Sequence, residues 1–394
     1  MSLTPDRRQF MQSTSAAGLL ILKPETVFGS TANSAVELGV VGCGGRGKWI
    51  ANHFQQTGEA HIVAIADVFD DRLDAMRAKY PVDSARAYKG LNGYQELVAS
   101  KLDAVAIETP PYFHPEQALA AVRAKKHVYL AKPVAVDAPG CASIMVAANE
   151  AKCKVSFLVD FQTRVRPVFT EAAKRVQRGD IGTPVLGHVY YHANRLEPQT
   201  RLGASADENR LRNWVFDKAL SGDIIVEQNI HVIDVANWFL DGHPLSASGM
   251  CGRRARVDVG DASDHFVVRF SYPDNVTVDF SSAQFTKGYN DLCIRVYGSR
   301  GTVDAHYGGF LKITGDNPWD GTDGAKDDTF TGGAIANVRR FLASIRNADY
   351  LNNAAASVKS TLSAVLGRMA AESTKAVTWD EMLRQQATVV DLKI

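Results

Sequence analysis

The sequence predicts an α/β Rossmann domain followed by an α+β domain with an open, largely antiparallel sheet. Three observations carry this. A glycine loop near residue 42 joins an apolar run to a helical pattern, strand and helix patterns alternate up to about residue 160, and the second half is strand-rich. The 394 residues suffice for two domains. Hydrophobic residues make up 45% and charged residues 22%, so a sizeable core is available. The 44 basic and 43 acidic residues nearly cancel, which argues against a nucleic-acid partner. Beyond residue 40 every aliphatic run is too short to span a bilayer.

Residues 1–35 stand apart. "DRRQFMQSTSAAGLLIL" sets Arg7 and Arg8 ahead of an apolar, small-residue run, with Phe10 two positions after Arg8. The pattern resembles a twin-arginine export signal. The protein is therefore expected in the periplasm, with no membrane span once the signal is removed. Export in the folded state suits a protein that collects a cofactor in the cytoplasm. The cysteines, Cys43, Cys141, Cys153, Cys251 and Cys293, show no CxxC spacing. Free, mostly buried thiols are expected, with neither a zinc site nor a disulfide framework.

Residues 36–158 read as the nucleotide-binding domain. "VELGVVGCGGRGKWIANHF" is a strand, a loop Gly42-x-Gly44-x-x-Gly47, and a helix. Gly42 permits a tight turn, Gly44 lets backbone approach a pyrophosphate, and Gly47 allows close helix–strand packing. The helix N-terminus offers unpaired N–H groups to phosphate. "HIVAIADVFDDR" is the next strand, ending in Asp67 twenty residues after Gly47, where an acid accepts the ribose hydroxyls of NAD. Asp67 repels a 2′-phosphate, so NAD is favoured over NADP. Arg46 and Arg72 can each meet a phosphate or stack on adenine. "LDAVAIETPPYFHPEQALAAVRAKK", "HVYLAKP", "DAPGCASIMVAANEAKCK" and "VSFLVDFQTRVRP" continue the alternation, which implies a parallel, doubly wound sheet. Thr109, Pro110 and Lys132 fall just beyond strand ends, on the edge where such sheets bind ligands.

Residues 159–365 read as an α+β substrate and oligomerisation domain. "PVLGHVYYHANR", "HFVVRFSYPDNVTVDFSSAQF" and "DLCIRVYGSRGTVDAHYGGFLKITG" are strands joined by turn signals. Consecutive hairpins imply an open antiparallel sheet with one free face. Residues 366–394 are expected to form a helical segment returning to the first domain.

From residue 36 onward the chain resembles the Gfo/Idh/MocA oxidoreductases. The resemblance rests on Thr109-Pro110 with His114, on Ala131-Lys132-Pro133 where the family has Glu-Lys-Pro, on Phe161 with Arg164 in "FQTRVRP", and on Gly222, Glu227, His231 and Asp234 in "SGDIIVEQNIHVIDVANW". The departures are Ala131 in place of the glutamate, and Glu227 and Asn229 where Asp and Gly are commoner. The resemblance implies NAD held by Gly42, Gly44, Arg46, Gly47, Asp67, Arg72, Thr109, Pro110, His114 and Lys132. It places Lys132 at the nicotinamide, touching the substrate oxygen, and implies a homodimer or homotetramer.

Hydride transfer from a carbinol needs a base and a cation that stabilises alkoxide character. Lys132 and His231 can fill both roles. Glu227, four residues before His231, can orient it on a shared helix face or touch substrate directly. Arg164, Tyr191 and Trp214, with His231, are candidates for the substrate wall, as are His192 and Arg195. Asp234 and Asn237 read as hydrogen-bonding neighbours. No spaced His and carboxylate cluster suggests a metal.

The function expected is an NAD(P)-dependent oxidoreductase acting on a sugar, polyol or sugar derivative. The alternatives are a glycoside hydrolase or lyase cycling a resident NAD through oxidation, elimination and reduction, and a non-catalytic nucleotide- or sugar-binding protein. Replacing both Arg7 and Arg8 by Lys is expected to leave the precursor in the cytoplasm of an expressing bacterium. Cell fractionation showing normal export of that variant would count against the signal.

Overall fold

The computed structural model describes residues 35–308, 310–321 and 329–393. All of the expected export segment except residue 35 lies outside them. Strands β1 (Val36–Val41), β2 (Ala60–Asp67), β3 (Ala87–Lys89), β4 (Ala104–Ile107), β5 (His127–Leu130) and β6 (Phe157–Val159) form a six-stranded sheet ordered β3-β2-β1-β4-β5-β6. Every pair is parallel. Helices cover both faces, so β4 and β6 are buried along their whole length and carry unbroken apolar runs. Strand order reverses between β1 and β4, which opens a crevice at their carboxyl ends.

A row of backbone hydrogen bonds levels that edge. Gly42 N donates to Ala66 O (2.8 Å), Glu108 N to Val41 O (2.8 Å), Ala131 N to Ile107 O (3.0 Å) and Asp160 N to Leu130 O (2.9 Å). The glycine loop is set just as tightly. Gly42 turns at φ +90°, and a Cβ on Gly47 would lie 1.8 Å from the Gly42 carbonyl oxygen. The helix Gly45–Gln56 approaches β1 this closely because no side chain intervenes.

The second sheet contains β7 (Pro184–Asn194), β8 (Ser246–Gly252), β9 (His265–Ser271), β10 (Thr277–Thr286), β11 (Asp291–Gly298), β12 (Gly301–His306), β13 (Leu311–Gly315), β14 (Trp319–Asp320) and β15 (Val377–Thr378). Its order is β14-β13-β12-β11-β7-β10-β9-β8-β15. Hairpins give antiparallel pairs on both flanks, as expected. The central pair of β7 with β10 is parallel. A long excursion separates β7 from the later strands, so no tight turn dictates its direction.

The helix Ala354–Ser373 runs through the expected division between residues 365 and 366. Nothing in "TLSAVLGRMAA" interrupts it, and Leu362, Val365, Leu366 and Ala370 are all buried. It ties the domains together. Arg368 Nη1 donates to Val136 O (3.0 Å) and Gly222 O (3.1 Å), while Ser360 Oγ donates to Asp234 (2.6 Å). The helix Thr329–Arg346 packs Phe341 against Phe54 and Tyr129 of the first domain. All five cysteines are free: Cys43, Cys141 and Cys293 are buried, Cys251 is half-buried and Cys153 is exposed.

Gly47→Ala is expected to cost about 1–3 kcal/mol, because the added methyl meets backbone rather than a flexible side chain. Gly45→Ala, with nothing within 4 Å of its Cβ position, is the control and should melt at or slightly above the wild-type midpoint. Equal midpoints for the two variants would refute the packing argument.

Candidate active site

A cavity of about 760 Å³ lies over the crevice. The first domain contributes Gly42, Gly44, Arg46, Asp67, Arg72, Thr109, Pro110 and Lys132 to its wall; Tyr191, Trp214, Glu227 and His231 come from the second. The helix Gly45–Gln56 begins with no side-chain cap and no acidic residue in its first turn. Its leading N–H groups are therefore left for an anion.

Asp67 ends β2 with its carboxylate oriented by backbone. Oδ2 accepts from Cys43 N (2.7 Å) and Oδ1 from Phe69 N (2.9 Å). Burial pushes its pKa up, and the positive charge of Arg72 works against that. The Arg72 guanidinium lies 4.8 Å from the Phe69 ring and that of Arg212 3.8 Å. Arg212 comes from the second half of the chain and is held by Asp71 and Glu208, each at 2.8 Å.

Lys132 follows β5 directly. Its Nζ donates to Glu227 O (2.5 Å) and Glu227 Oε1 (3.1 Å). Glu227 thus positions the lysine, whereas the sequence suggested His231 or substrate as its partner. The cause is a break: Ile224–Glu227 and Ile230–Phe239 are separate helices, so a spacing of four does not put both side chains on one helix face. His231 is 5% exposed, and its Nδ1 lies 3.2 Å from the Tyr307 hydroxyl. Burial, then the charges of Lys132 and Arg46, hold its pKa well below the ordinary histidine value. The ring is therefore neutral at neutral pH. The tautomer with its hydrogen on Nδ1 leaves Nε2 free to accept a proton.

Beneath the cavity, Arg46 bridges two carboxyl groups. Its Nη2 pairs with Asp160, and its Nε lies 3.6 Å from Glu108 Oε2. Asn337 Nδ2 donates to Asp160 Oδ1 (2.8 Å). Thr109 Oγ1 donates to Gln117 Oε1 (2.7 Å), fixing the turn after β4.

Five expected site residues stand away from the cavity wall. Gly47 serves the helix–strand contact. His114 is fully buried, with Nδ1 2.7 Å from Pro133 O and Nε2 2.8 Å from Thr109 O. It ties two strand exits together; burial pulls its pKa down to about 4, and a neutral ring donates to only one of the two carbonyls. Arg164 turns inward, its Nε and Nη2 donating to Asp234 at 2.9 and 2.8 Å, with its guanidinium 5.1 Å from the Trp238 ring. Asp234 is fully buried, and that charge captures the arginine. His192 stacks on Tyr190 and Arg195 pairs with Asp258, so neither reaches the cavity. Phe69, Glu108, Gln117, Arg212 and Gln228 do line it. Of these, only Glu108 left a signal in the sequence: an acid closing the apolar run "DAVAI".

Cross-strand pairing on β11 and β12 brings ligand atoms of Cys293, Asp304 and His306 within 4.8 Å of one another. Sequence spacing could not reveal this group. Asp304 is paired with Arg295 (2.9 Å) and His306 with Asp291 (2.6 Å). Burial pushes the Cys293 thiol up to about 12. Asp304 and His306 are thus engaged by Arg295 and Asp291 outside the trio.

An uncapped helix start above a glycine turn, lining one cavity with Asp67 and Lys132, is the arrangement of a dinucleotide-binding site. Residues 36–159 match the oxidoreductase family with an NAD-binding Rossmann fold, and residues 169–304 match the GFO/IDH/MocA C-terminal domain. The chain belongs to the GFO/IDH/MocA family, and NAD is its cofactor. Among curated relatives, inositol 2-dehydrogenase 3 of Saccharopolyspora erythraea is 29% identical over 276 residues, 68% of this chain and 72% of the relative. The 1,5-anhydro-D-fructose reductase of Ensifer adhaerens is 25% identical over 260 residues, 65% of this chain and 71% of the reductase. Among solved structures, the WlbA dehydrogenase of Bordetella pertussis, in complex with NADH and UDP-GlcNAcA, superposes with a TM-score of 0.74 at 21% identity. That alignment covers 88% of this chain and 98% of WlbA and shows the shared fold.

Arg164→Met would leave Asp234 buried without its cation, a loss of about 3–5 kcal/mol. The expected outcome is a much lower melting midpoint with unchanged nucleotide affinity in the folded fraction. A normal midpoint with weakened substrate binding would return Arg164 to the substrate wall.

Proposed function

We propose that this protein oxidises a secondary hydroxyl of a sugar, polyol or sugar derivative, using NAD in preference to NADP. The observation that carries the reading is the convergence of Lys132, Glu227 and His231 on the cavity walled by the glycine loop and Asp67. Bound NAD supplies the hydride acceptor. Lys132, fixed by Glu227, donates to the carbinol oxygen and stabilises alkoxide character as the C–H bond breaks. Neutral His231 accepts the hydroxyl proton at Nε2, with Nδ1–H directed to Tyr307. Because its folded pKa is depressed, this base stays competent as pH falls through the ordinary histidine range. Asp67 disfavours a 2′-phosphate by charge. Tyr191 and Trp214 offer aromatic surface to the C–H face of a ring. Support for a polyhydroxylated substrate comes from relatives named for inositol and anhydrofructose.

The test is single-turnover reduction of bound NAD with a panel of inositols and sugars, across pH. Lys132→Met should bind NAD normally and lose roughly a hundredfold or more in rate. His231→Ala should also bind NAD, with a defect partly relieved at high pH, where hydroxide can take the proton. Near-wild-type rates in Lys132→Met would overturn the assignment.

A further inference from the structure

Glu108 has no role in the chemistry above, yet it is an unusual group in this cavity's surroundings. Its side chain is fully buried at the exit of β4, beside Lys132 at the exit of β5. Neither carboxyl oxygen has a hydrogen-bond partner. A buried carboxylate without such partners is costly, so the group is easily held in its protonated form.

The surrounding charges come from several elements. Arg46 of the helix Gly45–Gln56 lies 3.6 Å away and is shared with Asp160 at the exit of β6. Asp160 and Lys132 act on Glu108 through space, and Tyr129 of β5 is a phenol that burial, Asp160 and Glu108 keep neutral. Lys132 is matched by Glu227, and Arg46 by Asp160. Glu108 is therefore the carboxyl left without a matching cation of its own. Protonated, it leaves the cluster neutral; ionised, it leaves one negative charge. Burial is the main cause that pushes its pKa up to about 8, with Asp160 adding to the rise and Arg46 and Lys132 opposing it.

A nucleotide with its pyrophosphate at the glycine loop and a ribose at Asp67 places its adenosine half over β2. Its other half then crosses β4 and β5, the strands that end in Glu108 and Lys132. The oxidised nicotinamide ring is cationic and the reduced ring is neutral. We propose that Glu108 is a redox-linked proton site, ionised while the oxidised ring lies beside it and protonated once the ring is reduced. The inference rests on the NAD reading above. It balances the reaction: the C–H electron pair and its hydrogen leave as hydride, the O–H bond breaks, and the proton that His231 accepts is passed on to Glu108, which returns His231 to its neutral form. Oxidation inside the closed complex then leaves the total charge of this site unchanged.

The sign follows from linkage. A cation that lowers the pKa of Glu108 expels its proton, so binding of oxidised nucleotide tightens as pH rises toward the free-state pKa and then levels off. The experiment is calorimetric titration of nucleotide-free protein with NAD+ and with NADH, in buffers of different ionisation enthalpy, which counts protons exchanged on binding. Near neutral pH, NAD+ is expected to release about one proton and NADH none. NAD+ affinity should rise by up to about tenfold per pH unit below about pH 8, while NADH affinity stays flat. Glu108→Gln should abolish both the release and the slope. Equal proton counts for the two nucleotides in the wild type would overturn the proposal, and so would release that persists in Glu108→Gln. Should that variant fail to fold, the wild-type comparison still decides. Failure of either nucleotide to bind would instead refute the NAD reading itself.

Discussion

The site depends on the level at which the parallel strands stop. Four backbone hydrogen bonds, from Gly42, Glu108, Ala131 and Asp160 to the neighbouring strand in each case, run across the carboxyl edge of the first sheet. Each donor is the first residue or so beyond its strand, so the next side chain or loop emerges at a common height. The glycine turn, Glu108, Lys132 and Asp160 therefore share one floor, although more than a hundred residues separate the first from the last. A one-residue slip in any strand would reverse the facing of its exit side chain. Precision here comes from backbone geometry that every residue type can satisfy, which frees the exit positions to carry chemistry.

Charge is distributed over that floor by pairing. Lys132 is matched by Glu227, Arg46 by Asp160 and Arg164 by Asp234, and each pair joins segments far apart in the chain. Pairing two opposite charges in low dielectric returns much of their desolvation cost, and stripping one partner leaves the whole cost exposed. The pairs thus make the position of Lys132 contingent on the second domain being in place. Ala131 sits one residue past the β4–β5 register, beside Glu108 on the adjacent strand.

Much of this was legible in the sequence, and the reasons are physical. Periodicity and glycine spacing report local backbone requirements, so the alternating elements, the loop at Gly42 and the exits at Thr109 and Lys132 could be read directly. Asp67 was legible because it terminates an apolar strand. What failed involved side chains choosing between partners that the chain brings together only on folding. Arg164 had the character of a substrate ligand until Asp234 was found buried behind it. Spacing offers Glu227 either His231 or substrate as a partner, but the break at Gln228–Asn229 turns it toward Lys132. Arg212 reaches Phe69 from across the molecule, and Cys293, Asp304 and His306 meet only through strand pairing. The division at residue 365 failed for another reason: helix Ala354–Ser373 is buried along most of its length and carries no mark where one neighbour gives way to the next.

That helix also constrains how the molecule can move. Its Arg368 guanidinium is bonded to Val136 O, just past Lys132, and to Gly222 O, at the start of the segment that carries Glu227 and His231. Asn353, at its beginning, exchanges two side-chain hydrogen bonds with Val159 on the edge strand β6. Swinging one domain against the other as a rigid lobe would strand these buried donors and acceptors, at about 1–3 kcal/mol each. The two halves consequently behave as a single block, like a vice with its jaws already pinned. Traffic into and out of the crevice falls to side chains and loops at its mouth.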